Sequence, residues 1–166
     1  QKAFQKRIPI AGICLGGQML AKALGAKVEK NHTAEVGWFP IHLNENGKSD
    51  RILHAVTPVT LVYQWHMDTF HLPDGATLLA TSPHCDRQAY RIEDFAYGFQ
   101  FHPEADHQLV HEWLAFEGMD HELLETQKTY GNSTVQNSAR MKHLAGKGER
   151  SSLRITSAIS QLFRWH

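Results

Sequence analysis

Residues 8–18 read IPIAGICLGGQ, a short apolar run that delivers one cysteine into a cluster of glycines. We expect a strand that ends at Cys14, followed by a helix over about residues 16–24. A side chain exposed at a sharp strand-to-helix turn needs small neighbouring residues, because their Cβ atoms would clash with the tightly folded backbone. The glycines that supply them are Gly12, Gly16 and Gly17. The helix N-terminus would favour the thiolate, so the pattern predicts a cysteine nucleophile, with a buried structural cysteine as the alternative.

A second segment, residues 97–104, reads YGFQFHPE and predicts another short strand. It ends in His102, in a proline that stops the strand, and in Glu104. A cysteine nucleophile needs a base, and the base needs an acid that fixes its orientation. If the two strands are neighbours in one sheet, their ends bring Cys14, His102 and Glu104 together. The alternative is an ordinary loop histidine, since the chain contains 12 histidines.

The motifs GICLGGQ at residues 12–18 and GFQFHPE at residues 98–104 resemble those of the class I (triad-type) glutamine amidotransferases. The similarity is greatest to stand-alone proteins like the amidotransferase domain of GMP synthase, and it extends from about residue 7 to residue 113. The resemblance implies that Cys14 attacks a γ-glutamyl amide, that His102 transfers the proton and that Glu104 orients His102. Ammonia leaves, and a glutamyl thioester on Cys14 is then hydrolysed. This chemistry needs no cofactor.

The resemblance also implies a substrate pocket. Gln18 matches a residue that contacts bound glutamine, and the backbone N–H of Leu15 matches one donor of the oxyanion hole. Residues 64–68 read QWHMD and resemble the segment ending in His-Gly-Asp, whose backbone holds the α-amino and carboxylate groups of glutamine. The substrate-binding residues predicted in this segment are Gln64, Trp65, His66 and Met67. Met67 replaces the usual glycine, and simple packing is the alternative for Trp65 and His66.

The start of the chain departs from the family pattern. Family members carry a strand, a helix and a Gly-Gly-Pro loop before the cysteine, whereas Gln1 lies close to it here and Gly-Gly-Pro does not occur. We therefore expect the 166 residues to be a C-terminal portion of a longer protein, without the second oxyanion donor. Residues 1–6 would then be the end of a helix that leads into the cysteine strand.

The expected fold is α/β, with a flavodoxin-like, mostly parallel mixed sheet flanked by helices and an antiparallel insertion. We expect one amidotransferase-like domain, with a core over about residues 7–118 and a helical extension over residues 119–166. Strands are predicted at residues 27–28, 59–64, 77–82, 89–92 and 96–101, and residues 39–43 form a hairpin arm that a turn at residues 46–47 ends.

Further elements follow from periodicity. Residues 106–116 predict a helix whose buried face carries Leu109, Trp113 and Phe116. Polar connections are expected at residues 131–134 and 146–152. A terminal amphipathic helix then carries Ile155, Ile159, Leu162 and Phe163, and either covers the sheet or docks a partner.

Composition excludes several functional classes. The net charge is zero with histidine neutral, which argues against nucleic acid or an anionic membrane as the main partner. No apolar run approaches the roughly 20 residues of a membrane span. The chain has two cysteines, which argues against a disulfide framework and favours the reducing cytoplasm; we interpret Cys85 as an incidental thiol. His107 and His111 have the spacing of a metal-binding pair, but Gln108 stands where zincins have glutamate, so we predict no metal site.

Two classes of function remain. The first is an enzyme acting on glutamine or a γ-glutamyl compound, either as an ammonia donor or as a hydrolase that acts alone. No phosphate-cradling glycine loop of the Walker type occurs, so an ammonia donor would need a separate synthetase or acceptor protein. The second is a non-catalytic regulatory or binding module. The presence of Cys14, His102 and Glu104 favours the enzyme.

Overall fold

The computed structural model describes residues 1–131 and 133–163. The helices are α1 (Lys2–Gln5), α2 (Leu15–Ala23), α3 (Glu45–Lys48), α4 (His107–Leu114), α5 (Met119–Tyr130) and α6 (Ser138–Leu162). The strands are β1 (Ile10–Ile13), β2 (Val28–Leu43), β3 (Val59–Phe70), β4 (Ala76–Thr81), β5 (Ala89–Ile92) and β6 (Ala96–Phe99). A short 3-10 helix covers Leu53–Ala55. Helix α1 ends just before β1, as the sequence predicts.

The six strands form one mixed sheet in the order β1-β6-β5-β4-β2-β3. This confirms the α/β class and the mixed sheet flanked by helices. The expectation of a mostly parallel sheet is wrong for the described residues, because β1 and β6 are the one parallel pair and the other four pairs are antiparallel. Short connections join β4 to β5 and β5 to β6, as suits antiparallel neighbours, whereas residues 44–58 between β2 and β3 include α3 and the 3-10 helix.

Three apolar clusters hold the helices against the sheet. The first lies under the C-terminal half of α6, where Ile155 and Ile159 join Phe99 of β6. The second surrounds Trp38 and Tyr63 and includes residues of α4, α5 and the first half of α6. The third contains residues of α2 and of the strands on the opposite face. Over the part of the chain that the structure describes, no helix has the length and apolarity needed to cross a membrane.

Strand β2 is much longer than the sequence indicates. It runs for 16 residues and includes both the predicted short strand and the predicted hairpin arm. The turn expected at residues 46–47 is instead part of α3. The side-chain oxygen of Asn44 accepts a hydrogen bond from the N–H of Gly47 at 2.9 Å, so asparagine acts here as a helix N-cap.

Helix α6 corrects the prediction of a polar connection at residues 146–152. The buried residues of the helix recur at alternating spacings of four and three, which gives one continuous stripe. They are Met141, Ala145, Gly148, Ser152, Ile155, Ile159 and Leu162. A residue larger than glycine would not fit at position 148, because a Cβ atom there would lie 1.9 Å from Cζ3 of Trp38. The other predicted connection includes Asn132, which lies outside the described residues.

The predicted buried face of α4 is also partly wrong. Val110 and Leu114 are the buried residues of the helix, whereas Leu109 is only half-buried. Phe116 lies beyond the helix end and is 66% exposed. The side chain of Asp106 caps the helix by accepting a hydrogen bond from the N–H of Leu109 at 2.7 Å, and this cap sets where the helical register begins.

Candidate active site

Cys14 lies at the turn between β1 and α2. Strand β1 pairs in parallel with β6, with Ile13 opposite Phe99, and the N–H of Cys14 donates to the carbonyl of Phe99 at 2.8 Å. Cys14 itself has φ 47° and ψ −109°, a backbone conformation that L-residues rarely adopt. It is also the N-cap of α2, so the free N–H groups of the first helical turn begin at Leu15. Strained backbone of this kind is concentrated at functional sites.

Two of the three glycines are required by the close packing of this turn. A Cβ atom at Gly12 would lie 2.5 Å from the carbonyl oxygen of Gly16, and one at Gly17 would lie 2.9 Å from that of Phe99. The hydroxyl of Tyr90 donates to the carbonyl of Gly17 at 2.9 Å and fixes the turn from below. Gly16 is different, because a Cβ atom there would meet nothing within 4 Å. The expected steric need for glycine at that position is therefore wrong.

His102 follows β6 and reaches the same edge of the sheet as Cys14, because the two strands are parallel neighbours. Its backbone N–H donates to the carbonyl of Tyr63 at 2.8 Å, which ties this segment to β3. The Nδ1 atom of its ring lies 2.7 Å from Oε1 of Glu104. Edge contact with Trp113, at 5.3 Å between ring centroids, fixes the plane of the imidazole.

The pKa of His102 reflects opposing effects. Burial favours the neutral ring and lowers the pKa, but hydrogen bonds to Cys14 and Glu104, together with their charges, raise it to about 9. At neutral pH the ring is therefore an imidazolium, held between a sulfur and a carboxylate. The structure brings together Cys14, His102 and Glu104 in the order that the sequence motifs predict.

A cavity of about 300 Å³ opens beside the sulfur. Its lining is almost wholly apolar and comes from β3, α4 and the start of α5 as well as from the residues that follow β1 and β6. The lining residues are Cys14, Trp65, His102, Trp113, Phe116 and Met119. An apolar pocket with few polar groups is a typical place for a small molecule to bind.

Comparison with known proteins agrees with this geometry. The family model for class-I glutamine amidotransferases matches residues 1–120. The chain belongs to this family.

Relatives within the family include the glutamine amidotransferase-like protein YfeJ of Salmonella typhimurium, which is 37% identical over 143 residues, or 85% of this chain and 57% of YfeJ. A glutamine-hydrolyzing GMP synthase subunit of Thermococcus kodakarensis is 41% identical over 103 residues, or 60% of this chain and 53% of the relative. The crystal structure of a glutamine amidotransferase from Thermotoga maritima superposes with a TM-score of 0.82 at 28% identity, over 98% of this chain and 66% of that one. The chain therefore spans little more than half of the two sequence relatives.

The predicted substrate-binding segment of this chain runs along β3 beside Cys14. The carbonyl oxygen of Trp65 lies 3.7 Å from the cysteine sulfur, and the indole lines the cavity. The side chains of Gln64 and His66 turn away from the sulfur into a buried polar network. Met67 packs against the second apolar cluster. Gln64 and His66 are thus left to contact a substrate through the backbone, whereas the side chain of Trp65 lines the cavity and that of Met67 is only partly buried.

Gln18 is buried one helical turn beyond Cys14. Its Nε2 atom donates to the carbonyl of Asp68 at 3.2 Å and to Oε1 of Gln100 at 3.1 Å. These bonds join α2 to the substrate-binding segment and to the end of β6. Gln18 therefore lies at the predicted site, although both of its bonds are to the protein.

Several residues of the site were missed by reasoning from the sequence. The Nε2 atom of Gln100 lies 3.8 Å from the sulfur of Cys14. Gln100 is two residues before His102, and side chains two residues apart in an extended segment point to the same side, which is the signal that could have identified it. The sequence predicted a buried helix face for Trp113 and Phe116 and no role for Met119, so none of the three was expected at the cavity. Nothing in the sequence indicated that the cavity wall would come from residues so far along the chain from Cys14.

Glu35 was also missed. It is fully buried, and its carboxylate accepts hydrogen bonds from Nε2 of His66 at 3.0 Å, Nε2 of Gln88 at 2.7 Å and the hydroxyl of Ser82 at 2.8 Å. Potential metal-ligating atoms of Glu35, His66 and Cys85 lie within 4.8 Å of one another, close enough to bind one metal ion. The carboxylate already has three donors, and this favours a polar network.

The remaining predicted features are Cys85 and the histidine pair His107 and His111. Cys85 is buried, its thiol lies 3.3 Å from the hydroxyl of Thr69, and burial raises its pKa, so it does not have the properties of a reactive thiol. His107 and His111 stack with ring centroids 4.2 Å apart on α4. Both cysteines are free thiols.

Proposed function

We propose that this chain hydrolyses the side-chain amide of glutamine, or of another γ-glutamyl compound, through a thioester on Cys14. The observation that carries the proposal is the arrangement of His102, which lines the same cavity as Cys14 and is hydrogen-bonded to Glu104. A solvated loop histidine would not be fixed by a carboxylate and by edge contact with Trp113. An incidental buried cysteine would not occupy a strained turn at the N-terminus of a helix.

The steps follow from the positions of these groups. The sulfur of Cys14 attacks the amide carbon, and the N–H of Leu15 donates to the oxygen that becomes negative. The imidazolium of His102 gives its proton to the leaving amine, and the C–N bond breaks. Water then attacks the thioester while neutral His102 takes a proton from it, and the sulfur of Cys14 leaves. Glu104 holds the ring in place through both steps and stabilises its charged form.

The fate of the released amine divides the proposal into two candidates. In the first, ammonia passes to a separate synthetase or acceptor protein. The Thermococcus kodakarensis relative is one subunit of a GMP synthase, which implies a partner subunit for that protein. In the second, the protein acts alone on γ-glutamyl compounds. The apolar cavity favours the second, because ammonia as a leaving group needs no apolar wall, whereas an amide with an apolar substituent would bury it there. A reducing compartment such as the cytoplasm suits either one, since the nucleophile must stay a free thiol.

The test is a comparison of two substrates in the full-length protein. Ammonia released from glutamine and aniline released from a γ-glutamyl anilide are measured for wild type, Cys14→Ala and, as a matched control, Cys85→Ala. We expect Cys14→Ala to lose both activities and Cys85→Ala to keep them. A higher kcat/KM for the anilide supports the hydrolase, and a higher value for glutamine supports the ammonia donor. Turnover that survives in Cys14→Ala would contradict the proposed function.

A further inference from the structure

A continuous set of hydrogen bonds connects the buried carboxylate of Glu35 with the sulfur of Cys14. It passes through the ring of His66, the carbonyl of Asp68, and the side chains of Gln18 and Gln100. We name this set the Glu35–Cys14 chain. Glu35 lies on β2 and Cys14 at the turn between β1 and α2. Every link joins separate elements of the fold except the one from His66 to Asp68, which both lie on β3.

The direction of each bond is fixed by the chemistry of the Asp68 carbonyl, which can only accept. The atom of Gln18 that lies 3.2 Å from it must therefore be the amide nitrogen. The same nitrogen lies 3.1 Å from one atom of the Gln100 amide, so that atom must be the oxygen. The remaining Gln100 atom is then the NH₂ group, and it points at the sulfur of Cys14 at 3.8 Å. The orientation of Gln100 is thus set from its far side.

The same carbonyl constrains His66. Nδ1 of His66 lies 3.0 Å from it and must donate, while Nε2 lies 3.0 Å from the carboxylate of Glu35. The hydroxyl of Ser82 and the amide of Gln88 also face this carboxylate as donors. His66 is therefore held on both sides, with Nδ1 bonded to the Asp68 carbonyl and Nε2 bonded to the carboxyl group of Glu35.

The position of Glu35 in the sheet explains why the pair matters for the site. The register between β2 and β3 shifts between Lys30 and Glu35, opposite the segment that runs from His66 to Asp68. Regular sheet bonds are lost there, so side chains must hold the segment in place. Glu35 is the first residue after the shift and faces His66 directly. The hydrogen bond between Glu35 and His66 therefore anchors the backbone from which the Asp68 carbonyl projects.

We infer that Glu35 is a positioning residue that, through the Glu35–Cys14 chain, keeps an amide N–H of Gln100 directed at the sulfur of Cys14. This inference rests on the proposed role of Cys14 as the nucleophile. An N–H donor stabilises a thiolate, whereas a flipped amide would present its oxygen to the sulfur and oppose the negative charge. Loss of the carboxylate at position 35 weakens the anchor of the segment that carries the Asp68 carbonyl, and a displaced carbonyl no longer fixes the orientations of the Gln18 and Gln100 amides.

The experiment measures the rate at which iodoacetamide alkylates Cys14 at neutral pH, mapped by mass spectrometry, which needs no turnover. Glu35→Gln keeps the size of the side chain and removes its charge. We expect it to slow alkylation about fivefold, the effect of one net hydrogen bond, and Gln100→Met to slow it at least as much. Thr69→Val is the matched control, because Thr69 is also buried on β3 but bonds to Cys85 instead. We expect the control to react within about twofold of wild type.

A second measurement follows the side-chain amide of Gln100 by NMR. Its NH₂ signals should differ between wild type and Glu35→Gln, because the variant no longer fixes the carbonyl that orients the Gln18 and Gln100 amides. Unchanged Gln100 signals in Glu35→Gln, or a folded Glu35→Gln protein that alkylates at the wild-type rate, would overturn the inference. If wild-type Cys14 instead failed to react with a glutamine-analogue diazo-ketone, the proposed function would fall and the hydrogen-bond measurements would still stand.

Discussion

The substitution Glu104→Gln tests how the site controls the proton on His102. The pKa of His102 rises from an ordinary 6.5 to about 9, against the effect of burial. That rise corresponds to about 3 kcal/mol in favour of the imidazolium. The side chain of His102 is 15% exposed, so solvent screens little of this interaction. Glutamine keeps the length of Glu104 but brings no charge, and we expect the pKa of His102 to fall by about one to three units.

The assay is an NMR titration of the His102 ring. Cys14 also contributes to the shift of the His102 pKa, so the comparison is made between Cys14→Ala and the double variant Cys14→Ala/Glu104→Gln. The difference between their midpoints then reports the contribution of Glu104 alone. Equal midpoints in the two proteins would refute the reasoning, because they would show that the carboxylate does not hold the charge on the ring.

The same shift makes a prediction for stability. A histidine whose pKa is raised by folding adds stability below its unfolded pKa of about 6.5, and this contribution is lost as the pH rises through the folded value of about 9. Urea unfolding should therefore show that wild type loses more stability than Glu104→Gln over this range, by less than about 3 kcal/mol because Cys14 contributes to the same shift. A variant that loses as much as wild type would contradict the assigned pairing.

Other substitutions test the core and the division of roles in the site. Gly148→Ala should lower the free energy of unfolding by about 1–3 kcal/mol, because the new Cβ atom would lie 1.9 Å from the ring of Trp38. Gly146→Ala is the control on the same helix: its Cβ atom would meet nothing within 4 Å, and the free energy of unfolding should rise by up to about 1 kcal/mol. Thermal or urea unfolding of both variants checks this, and equal effects would argue against the packing of α6. Cys14→Ala should abolish turnover, and Glu104→Ala should lower it less, since His102 still acts when poorly oriented; equal losses in steady-state assays would count against these roles.

The two motifs could be predicted from the sequence because each is local. A cysteine among glycines at a strand end, and a histidine and a glutamate after another strand, report on backbone geometry within a few residues. Their meeting needed one further fact, that the two strands are parallel neighbours, and the pairing of Ile13 with Phe99 supplies it.

The parts that failed depend on distant neighbours. The stretch around Gly148 looks like a polar linker because its one large contact, Trp38, lies 110 positions earlier in the chain. The charge of Glu35 suggests an exposed strand position, yet His66 and Ser82 satisfy it inside the protein. No periodicity within a strand or helix reports such contacts, because both partners are set by the packing of separate elements.

The central claim is that Cys14 is the nucleophile, and covalent labelling tests it most directly. The folded full-length protein is incubated with a glutamine-analogue diazo-ketone, digested and mapped by mass spectrometry, with free glutamine as the competitor. We predict an adduct on Cys14, protection by glutamine, and an unlabelled Cys85, which is 1% exposed. An unmodified Cys14, or labelling of Cys85 in its place, would contradict the account.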